Sequence, residues 1–375
     1  MTANAETRTE AMRVSTIELF FDLVFVFTIT QVTHLVEHVP TVWELGHAFL
    51  VLTLIWWMFS AYAWLTNSTR PGPFMRVVMI AAMGAFLVMA LAVPNVFGSG
   101  RLAFAITYLV VIVLHAVAFV VTGGRAALKG MLEVGPFNLG AGLLVLVAAL
   151  VDPKWNWVLL LAAVSLFVIA TFLGRERHFT LRADHFAERH GAVVLIALGE
   201  SVAAIAGGAS ALALDTHTIG AVLLSLALIA TIWWSYFDRD DERAEHVMRT
   251  MGARARARVG VMGYWYSHLI MLAGIVLLAA GLKEIVAEGA HAPTWTGWVL
   301  ASGVACYLAG DVLFRRVLQI RPLAFRAAAA LLAIPTGTIG GAPQLAVLAL
   351  LLVATLVGEH LAARGANIKS RPAQS

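Results

Sequence analysis

The chain has 375 residues, 60% of them hydrophobic and only 13% charged, half the roughly 25% charged share of an ordinary soluble domain. A formal net charge of +4, set beside so much apolar sequence, points to membrane topology and contact with anionic headgroups, not to nucleic-acid binding. One cysteine, Cys306, excludes an internal disulfide and a cysteine zinc cluster.

Residues 1–13 are polar and mixed in charge, with no short apolar core and no small-residue cleavage site, so no removable signal peptide is expected and the first span is itself the insertion signal. Twelve apolar segments follow, at about 16–36, 45–66, 77–97, 102–122, 131–151, 155–174, 186–208, 217–237, 259–281, 295–314, 323–341 and 343–362. At 1.5 Å per residue each is long enough for a hydrocarbon core of about 30 Å. The expected fold is all-α: a polytopic transmembrane helix bundle of about twelve spans, a single integral membrane domain over 1–375.

Basic residues alternate sides. Of the 26 Lys and Arg residues, only Arg101, Lys154 and Lys283 fall on one side of this array; the rest, from Arg8 and Arg13 in the N-terminal tail to Arg371, fall on the other. The positive-inside rule therefore expects both termini in the cytoplasm of a multi-pass protein of the cell inner (plasma) membrane. Trp43, Trp155, Trp157, Trp295 and Trp298 flank the charge-poor loops, where amphipathic indoles favour the headgroup layer. The polar stretch 238–258 reads as a solvated cytoplasmic loop with a basic second half that touches anionic lipid headgroups.

A weak internal repeat suggests two six-helix halves in parallel, 15–175 and 183–363. Ile55-Trp56-Trp57 recurs as Ile232-Trp233-Trp234, and Tyr108-Leu109 with Val113-Leu114 recurs as Tyr307-Leu308 with Val312-Leu313.

Two motifs carry a family resemblance. Ser15-Thr16-Ile17-Glu18-Leu19-Phe20-Phe21-Asp22-Leu23-Val24-Phe25-Val26-Phe27, with His185-Phe186-Ala187-Glu188-Arg189-His190-Gly191 and Ala197-Leu198-Gly199-Glu200-Ser201, closely resembles the bacterial low temperature requirement A family. The resemblance implies an integral membrane protein tied to growth in the cold. It assigns no catalytic or ligand residues, so the chemistry must come from the side chains.

Glu18 and Asp22 are four residues apart at the start of the first span and share a helix face. Asp22, Thr30, Thr33 and Glu37 fall within about 80° of each other at 100° per residue, a polar stripe that lipid cannot solvate. An intramembrane carboxylate costs about 2.5–3.5 kcal/mol at the centre of a span, so Asp22 is read as part of a proton or cation relay. For Glu18 an acidic helix start neutralised by a neighbouring arginine is the competing reading. In the seventh span Glu200 and Ser201 lie near the middle, about 16 Å along the axis from Arg189. Glu200 thus needs a partner from another helix and is the leading candidate, with Gly199, Gly207 and Gly208 allowing close approach. His185, Glu188, Arg189 and His34 are supporting candidates. His185 and His190 are five residues apart, unlike the i, i+4 pair of a zincin, and read as residues that cap and charge the helix end; no metal and no cofactor is expected. Asp311 is expected to pair with Arg315 one turn on. Pro94, Asn95, Pro335, Gly337, Gly340 and Gly341 mark helix breaks, which leaves the eleventh span open to a reading as a gate or as a plain loop.

These features favour a proton- or ion-coupled transporter of a small solute built around Asp22, Glu200 and Glu18. The alternatives are a non-transporting scaffold or sensor for cold adaptation and an intramembrane lipid-modifying enzyme. No phosphate loop, metal spacing or nucleophile elbow speaks for the enzyme.

Overall fold

The computed structural model describes residues 14–37, 41–69, 72–173, 181–238 and 240–369. Arg8, Arg13, Arg70, Arg175, Arg177, Arg239 and Arg371, all assigned above to the basic side, lie outside them. The helices are α1 (Thr16–His34), α2 (Val42–Ser68), α3 (Pro73–Ala92), α4 (Arg101–Gly124), α5 (Ala127–Leu150), α6 (Asn156–Leu173), α7 (Ala183–Ala209), α8 (Thr216–Phe237), α9 (Asp240–Thr250), α10 (Ala253–Glu288), α11 (Thr294–Val317), α12 (Ala324–Ala333) and α13 (Gly341–Lys369). No strand is present among the described residues, and eleven helices are long and apolar enough to cross a membrane.

Local chemistry sets the helix starts. The Ser15 hydroxyl and backbone N–H both donate to Glu18 Oε2, at 2.6 and 2.9 Å, and Thr41 and Glu44 repeat the arrangement at α2. Pro73 opens α3, where its missing N–H costs nothing, and Asp215 accepts the Thr218 N–H at 2.8 Å to open α8. The chain turns between α4 and α5 at Gly124, whose φ of 62° suits a residue without Cβ.

The break expected in the eleventh apolar segment is present, and one other expectation needs correction. The segment 323–341 is not one helix: α12 ends at Ala333, a 3₁₀ turn runs through Ile334–Thr338, and the chain reverses at Gly340 and Gly341, with φ of 68° and 57°. Pro335, which lacks an N–H for the ladder, explains the stop. Helix and turn together still cover about 25 Å. The broken backbone packs against α11, where Gln344 Nε2 donates to Gly297 O at 2.7 Å. The polar stretch 238–258 is also not a solvated loop. It forms α9 and the start of α10, and Asp240 is only 2% exposed. Arg256 ties the turn between them by donating to the carbonyls of Met248, Met251 and Leu181, at 2.9, 2.9 and 3.1 Å.

The core lies along α2, α10 and α11, the most deeply buried helices, while α5, α6 and α13 present most of their surface outward. Such a distribution suits a bundle whose rim faces acyl chains. Helices α10 and α11 meet at glycines. A Cβ on Gly274 would sit 2.4 Å from Tyr307 N, and one on Gly303 would sit 2.6 Å from Leu278 N. Small residues let backbones approach where no hydrophobic effect drives association. Within α10, Gly260–Tyr266 forms a π-helical turn, and the Trp265 carbonyl accepts the Trp56 indole N–H at 2.8 Å.

Packing follows a recurring order. Helix α1 lies on α3, α3 on the α4–α5 segment and α2 on α6; likewise α7 lies on α10, α10 on α11 and α8 on α13. The Tyr108 hydroxyl of α4 donates to Leu54 O of α2 at 3.2 Å, and the Tyr307 hydroxyl of α11 donates to Ile232 O of α8 at 3.4 Å. The Trp pairs differ: Trp56 and Trp57 are buried, whereas Trp233 and Trp234 face outward.

Candidate functional site

Helices α1 and α7 run side by side in the same direction, because Glu18 meets His185, Asp22 meets Arg189 and Thr30 meets Glu200. At the first end of this seam, Arg189 Nη1 lies 3.2 Å from Glu18 Oε1 and Nη2 lies 3.1 Å from Asp22 Oδ1, all three side chains at most 1% exposed. Nη1 also donates to the Thr66 hydroxyl of α2, and the guanidinium carbon lies 5.6 Å from the ring centroids of both Phe21 and Phe59. His185 Nε2 sits 3.2 Å from Glu18 Oε1, and its Nδ1 faces Asn67 Nδ2 at 3.4 Å, which suits a proton on Nε2 directed at the carboxylate. Asn67 also clamps the start of α7: its Nδ2 donates to Arg182 O at 2.9 Å and its Oδ1 accepts the Arg182 N–H at 2.8 Å.

This end is a satisfied ion cluster with one loose atom. Glu18 receives Ser15, His185 and Arg189, whereas Asp22 Oδ2 is buried with no hydrogen-bond partner among the described residues. A buried carboxylate oxygen without a donor is a costly feature that a proton or a small ligand would relieve.

The other end of the seam carries a second group. Glu37 Oε2 accepts from Lys283 Nζ of α10 at 2.7 Å and lies 2.8 Å from His34 Nδ1. Burial works against ionisation of Glu37, but the Lys283 and His34 contacts outweigh it and hold its carboxyl below the usual range. Glu200 is half-buried here, bonded to the Thr30 hydroxyl and within reach of the charges of His34, Glu37 and Lys283. Its partner thus comes from a neighbouring helix, as its distance from Arg189 requires. Ser201 is fully buried, its hydroxyl unpartnered among the described residues, and Thr33 donates to Ile29 O at 3.1 Å. Among the glycines, Gly208 lets α7 touch α10, since a Cβ there would meet Lys283 O at 2.4 Å; Gly199 and Gly207 face open space.

The remaining candidates scatter. Glu188 is exposed and accepts the Val14 N–H at 3.3 Å, so it stands outside the buried cluster. His185 and His190 do not cap the helix end. His190 is fully buried in an aromatic packet, 5.0 Å from the Tyr264 ring and 5.5 Å from His268 between centroids. Asp311 does not pair with Arg315 as expected: its Oδ2 accepts from Arg326 of α12 at 2.6 Å. Arg315 instead meets Glu359 Oε1 at 2.6 Å and Asp240 Oδ2 at 2.9 Å, carboxylates from α13 and α9 that claim its donors. Sequence reasoning did not anticipate Thr66, Asn67 or Lys283, whose roles arise from helices far away in the chain. No group of three or more His, Cys, Asp or Glu able to hold a metal ion occurs among the described residues.

Comparison with known proteins agrees with the two motifs that line the seam. The family model described as bacterial low temperature requirement A protein matches residues 13–361. An uncharacterized protein of Rhizobium meliloti is 27% identical over 327 residues, covering 82% of this chain and 78% of that protein. The matched range takes in both α1 and α7 and every transmembrane helix between them and α13, and the chain belongs to the bacterial low temperature requirement A family.

Proposed function

We propose that the protein is a proton- or ion-coupled transporter of a small solute, with the α1/α7 seam as its coupling path. The observation that carries this reading is the distribution of ionisable groups along one seam. Asp22, with its unpartnered Oδ2, stands near one end, and Glu200 with His34, Glu37 and Lys283 stands near the other. Thr30 lies about 12 Å along α1 from Asp22, so waters or a moving cation would have to bridge the interval. Glu18 is assigned a positioning role, because Ser15, His185 and Arg189 already engage it.

The recurring packing order, α1 on α3 with α2 on α6 against α7 on α10 with α8 on α13, supports a duplication into halves 15–175 and 183–363. The one-sided basic residues support both termini in the cytoplasm of the inner membrane. A structural reading, a scaffold or sensor, draws on the close pairing of Arg189 with Glu18 and Asp22, which would staple α1 to α7 without any transport.

Reconstitution separates them. Liposomes carrying a pH-sensitive dye and a solute panel are compared for wild type, Asp22→Asn and Glu200→Gln, each shown to insert. Proton-linked flux lost in both neutral variants supports the relay; normal flux and full cold-growth complementation by both would favour the scaffold.

A further inference from the structure

Two adjoining features mark the α6/α10 side of the bundle, in the half nearer the basic loops. The first is a half-open cavity of about 110 Å³ bounded by α2, α4, α5, α6 and α10. Its walls are apolar and aromatic. Trp57 and Trp265 stand edge to face, centroids 4.6 Å apart at 63°, and Trp64 lies 6.0 Å from Trp265 at 71°. Trp57 also stacks on Phe167 at 4.3 Å and 6°, and its indole N–H donates to Asn138 Oδ1 at 3.0 Å, so the wall is preformed. Polar groups on it are already engaged: His115 Nε2 donates to Ala61 O at 3.1 Å, the Thr171 hydroxyl pairs with the Tyr266 hydroxyl at 2.8 Å, and Glu133 has a partner of its own. With almost no polar surface to hold water, such a cavity stays dry or takes an apolar guest. At about 10–15 Å³ for each water-sized sphere it has room for a stretch of hydrocarbon chain, not for a whole lipid.

The second feature is a groove between the end of α6 and the first turns of α10, lined by Thr171, Phe172, Arg254, Arg258 and Met262. Thr171 borders both cavity and groove, and α10 gives one face to each: Ala257 and Val261 to the cavity, Arg254 and Arg258 to the groove. The two arginines are exposed, one turn apart on a single helix face, and no acidic side chain lines the groove among the described residues. Their neighbours are used differently, Arg249 by Glu245 and Arg256 by the main-chain carbonyls of Met248, Met251 and Leu181. Phe172, 74% exposed, gives the groove an apolar rim. An arginine pair at the headgroup level beside a dry slot offers positive charge to a phosphate and hydrocarbon space to the chain that hangs from it.

We propose that groove and cavity together bind one anionic phospholipid from the leaflet that faces the basic loops. It is a phosphatidylglycerol-type phosphodiester, with its phosphate on Arg254 and Arg258 and one acyl chain in the tryptophan-lined cavity. Charge complementarity selects this occupant, because a zwitterionic headgroup carries its own ammonium beside the phosphate and cancels much of the attraction to the arginine pair.

Phosphatidylglycerol and phosphatidylethanolamine with dibrominated acyl chains are the probes, each added at the same low mole fraction to the full chain in nanodiscs of unlabelled phosphatidylethanolamine. Bromine quenches indole emission on contact, and Trp233 and Trp234, which face outward, should respond alike to both lipids. Excess quenching by the brominated phosphatidylglycerol therefore reads Trp57, Trp64 and Trp265, and it should saturate. The double variant Arg254→Gln, Arg258→Gln should weaken this preference about tenfold or more, whereas Arg316→Gln, at an exposed position elsewhere on the basic side, should leave it unchanged. Val134→Phe fills the cavity from a half-buried position on its wall and, once shown to insert, should abolish the excess quenching. Equal quenching by the two lipids, the same loss in Arg316→Gln as in the double variant, or undiminished excess quenching in Val134→Phe would each overturn the proposal.

Discussion

Arg189 of α7 holds Asp22 of α1 at 3.1 Å although 167 residues separate them in the chain. The same guanidinium reaches Glu18, so one cation answers two buried carboxylates, and the cost of breaking the set is unequal to its worth. Arg189→Met should destabilise the folded protein by about 3–5 kcal/mol, because it strands two charges away from water. The neutral triple variant Glu18→Gln, Asp22→Asn, Arg189→Met should recover most of that loss. Thermal unfolding in detergent measures both, and a single variant as stable as wild type would show that the cluster is hydrated in solution.

Stability at the opposite end of the seam should depend on pH through Glu37. Its folded carboxyl titrates below the ordinary value, so its contribution is complete above about pH 4.3 and disappears as pH falls through the lowered folded value. Melting temperature should therefore drop on acidification in wild type and drop less in Glu37→Gln. Lys283→Met removes the 2.7 Å partner and should shrink the same acid-dependent loss. A pH profile identical in all three proteins would contradict the assignment.

Orientation is open to a direct check. Reporter domains fused after Arg243 and Arg316 should lie in the cytoplasm, and those fused after Asp215 and Glu288 on the outer side. Two or more reversed sites would invalidate the charge-based topology.

Glycines at the α10/α11 crossing should be far less tolerant than glycines of α7. Gly274→Val and Gly303→Val each drive a side chain into backbone closer than 3 Å and should cost about 1–3 kcal/mol or more, whereas Gly199→Ala and Gly207→Ala meet open space and should fall within about 0.5 kcal/mol of wild type. Thermal shift assays on the four proteins decide the matter, and equal losses would mean that the crossing loosens in the membrane.

Much of the bundle is legible in the chain because length and apolarity alone define a span. The inward turn of Asp22 follows from the price of a carboxylate in lipid, and the need of Glu200 for a partner on another helix follows from its distance to Arg189. The partners themselves are not legible. Glu18 and Asp22 find Arg189, and Glu37 finds Lys283 246 residues away, through helix packing that no local spacing encodes. Asp311 shows why nearness in sequence misleads: Arg315 is one turn away, but Arg326 from α12 occupies the space beside the carboxylate. Asp240 fails for a related reason, since a run of acidic residues looks solvated until one member turns inward to meet Arg315 and Arg326. The break at Pro335 was written in the sequence; where the freed backbone would pack was not.

The close approach of α10 and α11 has a mechanical consequence. Helices that shear past each other do so on a layer of side chains whose rotamers adjust, and here Gly274 and Gly303 bring the two main chains together with no such layer. The pair will travel as one strut. Any change of shape that opens the bundle must then hinge around it, at contacts cushioned by side chains, and the α1/α7 seam with its ionisable groups flanks that strut through Lys283 and Gly208.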